Sequence, residues 1–170
     1  MSKTSYVIAL GSNRRHHRHG TPRAVIAAAA DALGHMKGMK IIAIAPVFTT
    51  AAVGPAGRSF ANSALLLKSN RTPGKLLEKL KEVERGFGRR RTRRWGPRVL
   101  DLDIILWSGG IWADNHLAIP HHAFRERRFV LDPLAKLVPE WRDPRDGFTV
   151  RQLRARLLRA KPVDPTRPGA

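Results

Sequence analysis

Between residues 85 and 103 the chain reads RGFGRRRTRRWGPRVLDLD. Seven of the fourteen residues from 85 to 98 are arginine, and two carboxylates, Asp101 and Asp103, follow closely. Guanidinium forks pair bidentately with phosphate oxygens and neutralise the charge that develops as a phosphoryl group moves. On a strand, side chains two residues apart share a side, which would set the Asp101 and Asp103 Cβ atoms about 7 Å apart. Carboxylates at that spacing can flank one divalent cation, or bridge two cations about 3.5–4 Å apart. Hard oxygen donors without His or Cys suit Mg2+, which takes one or two carboxylates and completes its shell with water and substrate phosphates. Three other readings stay open. A D-x-D pair is often a solvated strand face, arginines alone can neutralise both carboxylates, and arginine-rich loops occur on RNA-binding surfaces. The last has no use for Asp101 and Asp103, which repel phosphate unless a metal is bound.

The D-x-D pair needs a strand, and residues 100–107 supply the clearest one in the chain. Strict alternation would put Leu100, Leu102, Ile104 and Leu106 on one face, with Asp101, Asp103, Ile105 and Trp107 on the other. A first strand is expected over Tyr6 to Leu10, closed by the turn formers Gly11-Ser12-Asn13. Residues 41–48 read as a buried strand with Pro46 marking an edge or a bulge, and residues 64–67 as a third strand. Thr21-Pro22 and Thr72-Pro73 are helix starts, each a capping hydroxyl followed by the proline that position N1 tolerates. The first helix runs through an alanine-rich stretch to Leu33 and Gly34. The second places Leu76, Leu77, Leu80 and Val83 on one face and ends at Gly86 and Gly88. Thr149 can cap a last helix with Val150, Leu153 and Leu157 inward. The β-α-β-β-α-β order predicts an α+β fold of the split βαβ, ferredoxin-like kind, with a mainly antiparallel sheet and helical extensions.

Composition bounds the partners. The chain has 170 residues, 32 Lys+Arg against 13 Asp+Glu, and a formal net charge of +19. That length fits a single domain over residues 1–161, and residues 162–170, with three prolines and no apolar pattern, are expected to be a disordered tail. Absence of cysteine removes thiolate metal sites, iron–sulfur clusters, cysteine nucleophiles and disulfides. No apolar run approaches the roughly 18 residues of a membrane span. The first strand's five apolar residues are too few for a signal peptide, so a cytoplasmic location is expected. The charge calls for anionic partners without choosing among nucleic acid, nucleotide phosphates and acidic membrane surfaces. The basic, His-rich stretch 14–19 reads as a solvated loop or a phosphate-facing one.

Arg94-Trp95-Gly96-Pro97-Arg98 followed by Asp101-Leu102-Asp103-Ile104 closely resembles the signature of the 6-hydroxymethyl-7,8-dihydropterin pyrophosphokinases of the folate pathway. The resemblance covers residues 6–158. It includes Ala9-Leu10-Gly11-Ser12-Asn13, Gly54-Pro55 with Phe60-Ala61-Asn62, and Ile119-Pro120-His121 with Arg127-Arg128-Phe129-Val130-Leu131. It implies a ferredoxin-like fold and transfer of pyrophosphate from ATP to a pterin hydroxymethyl group, releasing AMP. In that reading Asp101 and Asp103 hold two Mg2+ ions on the ATP phosphates. Arg89, Arg91 and Arg98 contact phosphates, with Arg89 and Arg98 as catalytic cations, and Glu84, Ile104, His121 and Arg127 belong to the ATP side. Phe60 and Phe129 sandwich the pterin. Thr50, Asn62 and the backbone near Val53 read its polar edge, and Trp95 sits between the two substrates.

Simple chemistry agrees with these roles. A pterin is flat and apolar on its faces with donors and acceptors on its rim, so aromatic rings and an amide suit it. The reaction then asks mainly for alignment and charge neutralisation. Three departures stand out. Thr50-Ala51-Ala52-Val53-Gly54 replaces the family's Thr-Pro-Pro-Leu-Gly, Leu117-Ala118 lacks the hydroxyl often found before Ile-Pro-His, and His122 stands where an aromatic residue or proline is common. The expected partners are ATP and 6-hydroxymethyl-dihydropterin, with no nucleic acid or membrane, and the expected state is a monomer. A basic nucleic-acid-binding module, or another Mg-dependent nucleotidyl- or phosphotransferase, is the competing reading.

Overall fold

The computed structural model describes residues 2–50, 59–88 and 99–159. Residues 4–12 form β1 (Thr4–Ser12), the centre of an antiparallel sheet. On one side it pairs with β4 (Phe60–Ser69), on the other with β5 (Asp101–Trp107). Beyond β4, the margin is shared by β2 (Met39–Ile44) and β3 (Phe48–Thr50), giving the order β2-β4-β1-β5 with β3 beside the start of β4. With α1 (Pro22–Gly34) and α2 (Pro73–Gly86) inserted between strands, this is the expected split βαβ, ferredoxin-like arrangement. Thr21 and Thr72 cap these helices as their sequence positions require, accepting from the Ala24 and Lys75 amides at 3.3 and 3.5 Å.

The two sheet faces have separate cores. On the first, Tyr6, Ile8 and Leu10 of β1 pack with Leu65 and Leu67 of β4 and Leu100, Leu102 and Ile104 near β5. Val25, Ile26 and Leu33 of α1 and Leu76 and Leu80 of α2 cover them. On the second face, Val7, Ala64, Ile105 and Leu106 lie under α3 (Arg128–Leu137) and α4 (Val150–Leu158). Thr149 and Gln152 form a reciprocal capping box on α4, with N···O distances of 3.1 and 2.9 Å. A short hairpin of β6 (Trp112–Ala113) and β7 (Ala118–Ile119) leads to the cis Ile119–Pro120 bond and a 3-10 turn at Phe124–Glu126.

Two sequence expectations need correction. The single buried strand over 41–48 is two strands separated by Ala45-Pro46-Val47, at the sheet margin. There Ile42 and Ile44, on the outward side of β2, are 43% and 52% exposed. The alternation of residues 100–107 also fails at its end. Ile8 pairs with Ile104 but Val7 pairs with Leu106, so Ile105 is an extra residue, a β-bulge. The bulge inverts parity, sending Leu106 into the α3–α4 core and Trp107 onto the first face, where it stacks against Tyr6. The 162–170 tail lies outside the described residues.

Candidate active site

Directly paired strand residues present their side chains on the same face. Phe48 pairs with Asn62, Asn62 with Gly11, and Gly11 with Asp101, forming one row across four strands. The next row runs from Ala64 through Ala9 to Asp103, and Thr50 pairs with Phe60 on the other flank. Register therefore brings Thr50, Phe60, Asn62, Asp101 and Asp103 to the same sheet face. It is the face that α3 and α4 cover at its other end. Gly11, Ala9 and Ala64 form a low floor between an aromatic and amide wall on β3–β4 and a carboxylate wall on β5. Phe60 is 47% exposed and Asp103 is exposed, while Asn62 and Asp101 are partly buried.

The floor is tight at one point. A Cβ on Gly11 would lie 3.2 Å from Asn62 Oδ1, so the glycine lets the amide lie down against β1. Gly11 and Phe48 were not among the residues picked from the sequence. Only register reveals that they complete the row, although Gly11 sits inside a quoted motif.

On the opposite flank, Glu84 near the end of α2 is 3% exposed, and its Oε1 accepts the Leu102 backbone N–H at 3.1 Å. Strand β5 is a sheet edge, so its outward amides need such an acceptor. This carboxylate thereby ties down the residue between Asp101 and Asp103. The bulge carbonyl of Ile105 accepts the His121 backbone N–H at 3.0 Å, fastening the segment after the cis proline to the same edge. Ile104 points into the first core with 2% exposure, so only its backbone could meet a ligand.

His121 Nδ1 faces the Ala123 amide at 3.2 Å, which leaves the proton of the neutral ring on Nε2. Burial pushes its pKa below the ordinary 6.5, with Asp103 opposing and His122 and Arg127 reinforcing the shift. The His122 ring stacks on it at 4.6 Å. Arg127 lies 5.8 Å from the centre of the Phe129 ring, and Phe129 is half exposed at the start of α3. Asp103, His121, Arg127 and Phe129 thus follow one another around the site. Helix α3 was not anticipated as a separate element, because Pro133 interrupts the helical signal of residues 128–137.

Arg89, Arg91, Trp95 and Arg98, together with Val53 and the rest of the 51–58 loop, lie outside the described residues. The described ends, Phe87 and Gly88 on one side and Val99 on the other, place the arginine-rich segment between the end of α2 and the start of β5. Among the described residues no cluster of three or more His, Cys, Asp or Glu could hold a metal ion. Two exposed or half-buried carboxylates on one strand face still suit a cation that completes its shell with phosphate oxygens and water.

Comparison with known proteins narrows what this arrangement serves. Residues 7–139 match the family described as 7,8-dihydro-6-hydroxymethylpterin-pyrophosphokinase (HPPK). A Pseudomonas aeruginosa protein named 2-amino-4-hydroxy-6-hydroxymethyldihydropteridine pyrophosphokinase is 39% identical over 149 residues, 87% of this chain and 88% of its own. A Bacillus subtilis protein of the same name is 34% identical over 138 residues, covering 81% and 79% of the two chains. Among solved structures, an HPPK-DHPS crystallised with substrates superposes with TM-score 0.70 at 12% identity over 92% of this chain. The Plasmodium falciparum HPPK-DHPS with pteroate gives 0.66 at 15% identity over 91%. These two likenesses speak to the fold alone, and this chain spans 45% and 42% of those longer ones. The family match, the named relatives and the shared fold agree: the chain belongs to the 7,8-dihydro-6-hydroxymethylpterin-pyrophosphokinase family, enzymes of pyrophosphoryl transfer in folate synthesis.

Proposed function

We propose that the chain transfers pyrophosphate from ATP to the hydroxymethyl group of 6-hydroxymethyl-7,8-dihydropterin, with Mg2+ as cofactor, and releases AMP. The observation that carries this reading is the sheet row that sets Asn62 and Asp101 on either side of Gly11, with Phe60 and Asp103 flanking them. In the reaction the hydroxyl oxygen attacks the β-phosphorus of ATP. The bond from that phosphorus to the α,β-bridging oxygen breaks, AMP departs, and the hydroxyl proton passes to water. Phe60 and Phe129 hold the pterin faces, and Asn62 and Thr50 its polar edge. Asp101 and Asp103 would hold two Mg2+ ions, which neutralise phosphate charge when bound. Arg127 and the Nε2–H of neutral His121 supply further donors toward the nucleotide, while Arg89, Arg91 and Arg98 carry the remaining positive charge. Trp95 and the backbone near Val53 complete the pterin side. Glu84 acts as a positioning residue through its hold on Leu102. We further propose that the enzyme works as a monomer in the cytoplasm.

Asp101→Asn and Asp103→Asn test the carboxylate roles. Each is expected to lower kcat by at least about 100-fold, a loss of about 2.7 kcal/mol of transition-state stabilisation. The pterin affinity should stay within about twofold, because Asn62 and the aromatic rings are untouched. Unchanged Mg2+-dependent turnover in both variants would overturn the assignment.

A further inference from the structure

Beside this site lies a cleft of about 940 Å³, bounded by the loop after β1, the first turn of α1 and the ends of β3 and β4. Arg14, Arg15 and Arg23 line it together with Ser59, Thr50 and Phe60. The three guanidinium groups are exposed, and none forms an ion pair among the described residues. Arg23 stands in the first turn of α1, where no acidic residue accompanies it and where the helix field disfavours a cation. Three uncompensated cations around one concavity focus positive potential into it. Its size is that of a small-molecule site. Thr50 and Phe60 belong to both the cleft and the pterin wall.

Given the reaction proposed above, on which this step rests, the chemistry of such a cleft is specific. Substrate pterin is an uncharged heterocyclic alcohol, whereas the product is the same flat ring carrying a diphosphate. We propose that this cleft is a binding station for the product, with its diphosphate among Arg14, Arg15 and Arg23 and its ring held against Phe60. The cleft thereby separates product from substrate by charge, and it draws the product away from Asp101 and Asp103. A nucleoside diphosphate has the same chemical outline, a flat ring joined to a diphosphate, so the two must be compared.

The test uses the full chain and its Arg14→Gln/Arg15→Gln/Arg23→Gln variant, titrated with 6-hydroxymethyl-dihydropterin diphosphate and, separately, with ADP. Product affinity is expected to fall about tenfold or more in the variant, in a salt-dependent manner, with the product-inhibition constant rising to match. The initial rate without product and the KM for the pterin alcohol should stay within about twofold, and an Arg→Lys triple variant should recover part of the product affinity. An unchanged product affinity in a variant that melts like the parent would overturn the proposal, and so would an equal loss for ADP. If the triple Gln variant melts early, Arg15→Gln and Arg23→Gln singly must still weaken product, or the proposal fails. Failure of the underlying reading looks different: the parent chain would form no pterin diphosphate from ATP at all.

Discussion

Single residues in this site matter through what they leave room for as much as through what they touch. Gly11 is the clearest case, since its missing side chain lets Asn62 Oδ1 come within 3.2 Å of where a Cβ would be. Gly11→Ala should push the amide by a few tenths of an ångström and raise the KM for the pterin about three- to tenfold. Because the row opens to the ligand, the amide can yield, and the melting temperature should move little. Steady-state kinetics beside a thermal melt would check this, and an unchanged KM would remove Asn62 from the pterin site. The reactive residue types were legible in the sequence, because D-x-D, the arginine run and the aromatic motifs are local patterns. Gly11's spacing role and Glu84's hold on Leu102 were not, since each depends on a partner 51 or 18 residues away that only folding brings close.

Elements were read well where one periodicity ran uninterrupted and capping residues marked the ends. Helices α1, α2 and α4 begin at the predicted threonines. The misreadings sit where periodicity breaks: at the Ile105 bulge, at Pro46 between β2 and β3, and at Pro133 in α3. The loop after β1, read as solvated or phosphate-facing, leaves Arg14, Arg15, His17 and Arg18 exposed and folds as an organised turn. His16 and Gly20 exchange two backbone hydrogen bonds of 2.8 Å. His16 Nδ1 accepts from the Arg18 and His19 amides at 3.1 and 3.2 Å. Its ring stacks on His17, and His19 packs against Phe87 at the end of α2. Desolvation, then the charges of His17, His19 and Arg18, hold the His16 pKa below the ordinary 6.5. With the folded value depressed, the turn keeps its full stability above pH 6.5 and loses it as pH falls through the lowered value. Protonation would also turn the Nδ1 acceptor into a donor facing two N–H groups. Imidazole NMR should find His16 titrating below 6.5, with Arg18 and His19 amide exchange accelerating over the same range. Titration at or above 6.5 with unchanged exchange would contradict this.

At the scale of the whole molecule, the 32 lysines and arginines divide by use. Part is spent within the scaffold. Arg125 pairs with the fully buried Asp143, Arg154 with Asp132, Arg151 with Glu140, and Arg156 lies over the Phe148 ring. These contacts fasten the 3-10 turn, α3, α4 and the segments around them into the cover of the second face. A further part stands at the site in Arg127, close to His121 and the Phe129 ring. Arg14, Arg15 and Arg23 line the adjoining cleft. Composition alone matched nucleic acid as well as nucleotides. Sheet register adds two carboxylates, Asp101 and Asp103, on one face of β5, and these repel phosphate unless a cation joins them. The most direct measurement is to incubate the chain with ATP, Mg2+ and 6-hydroxymethyl-7,8-dihydropterin and follow the adenine nucleotides. Pterin-dependent formation of AMP, one per pterin diphosphate, is the predicted result. Formation of ADP, or no pterin-dependent product, would contradict it.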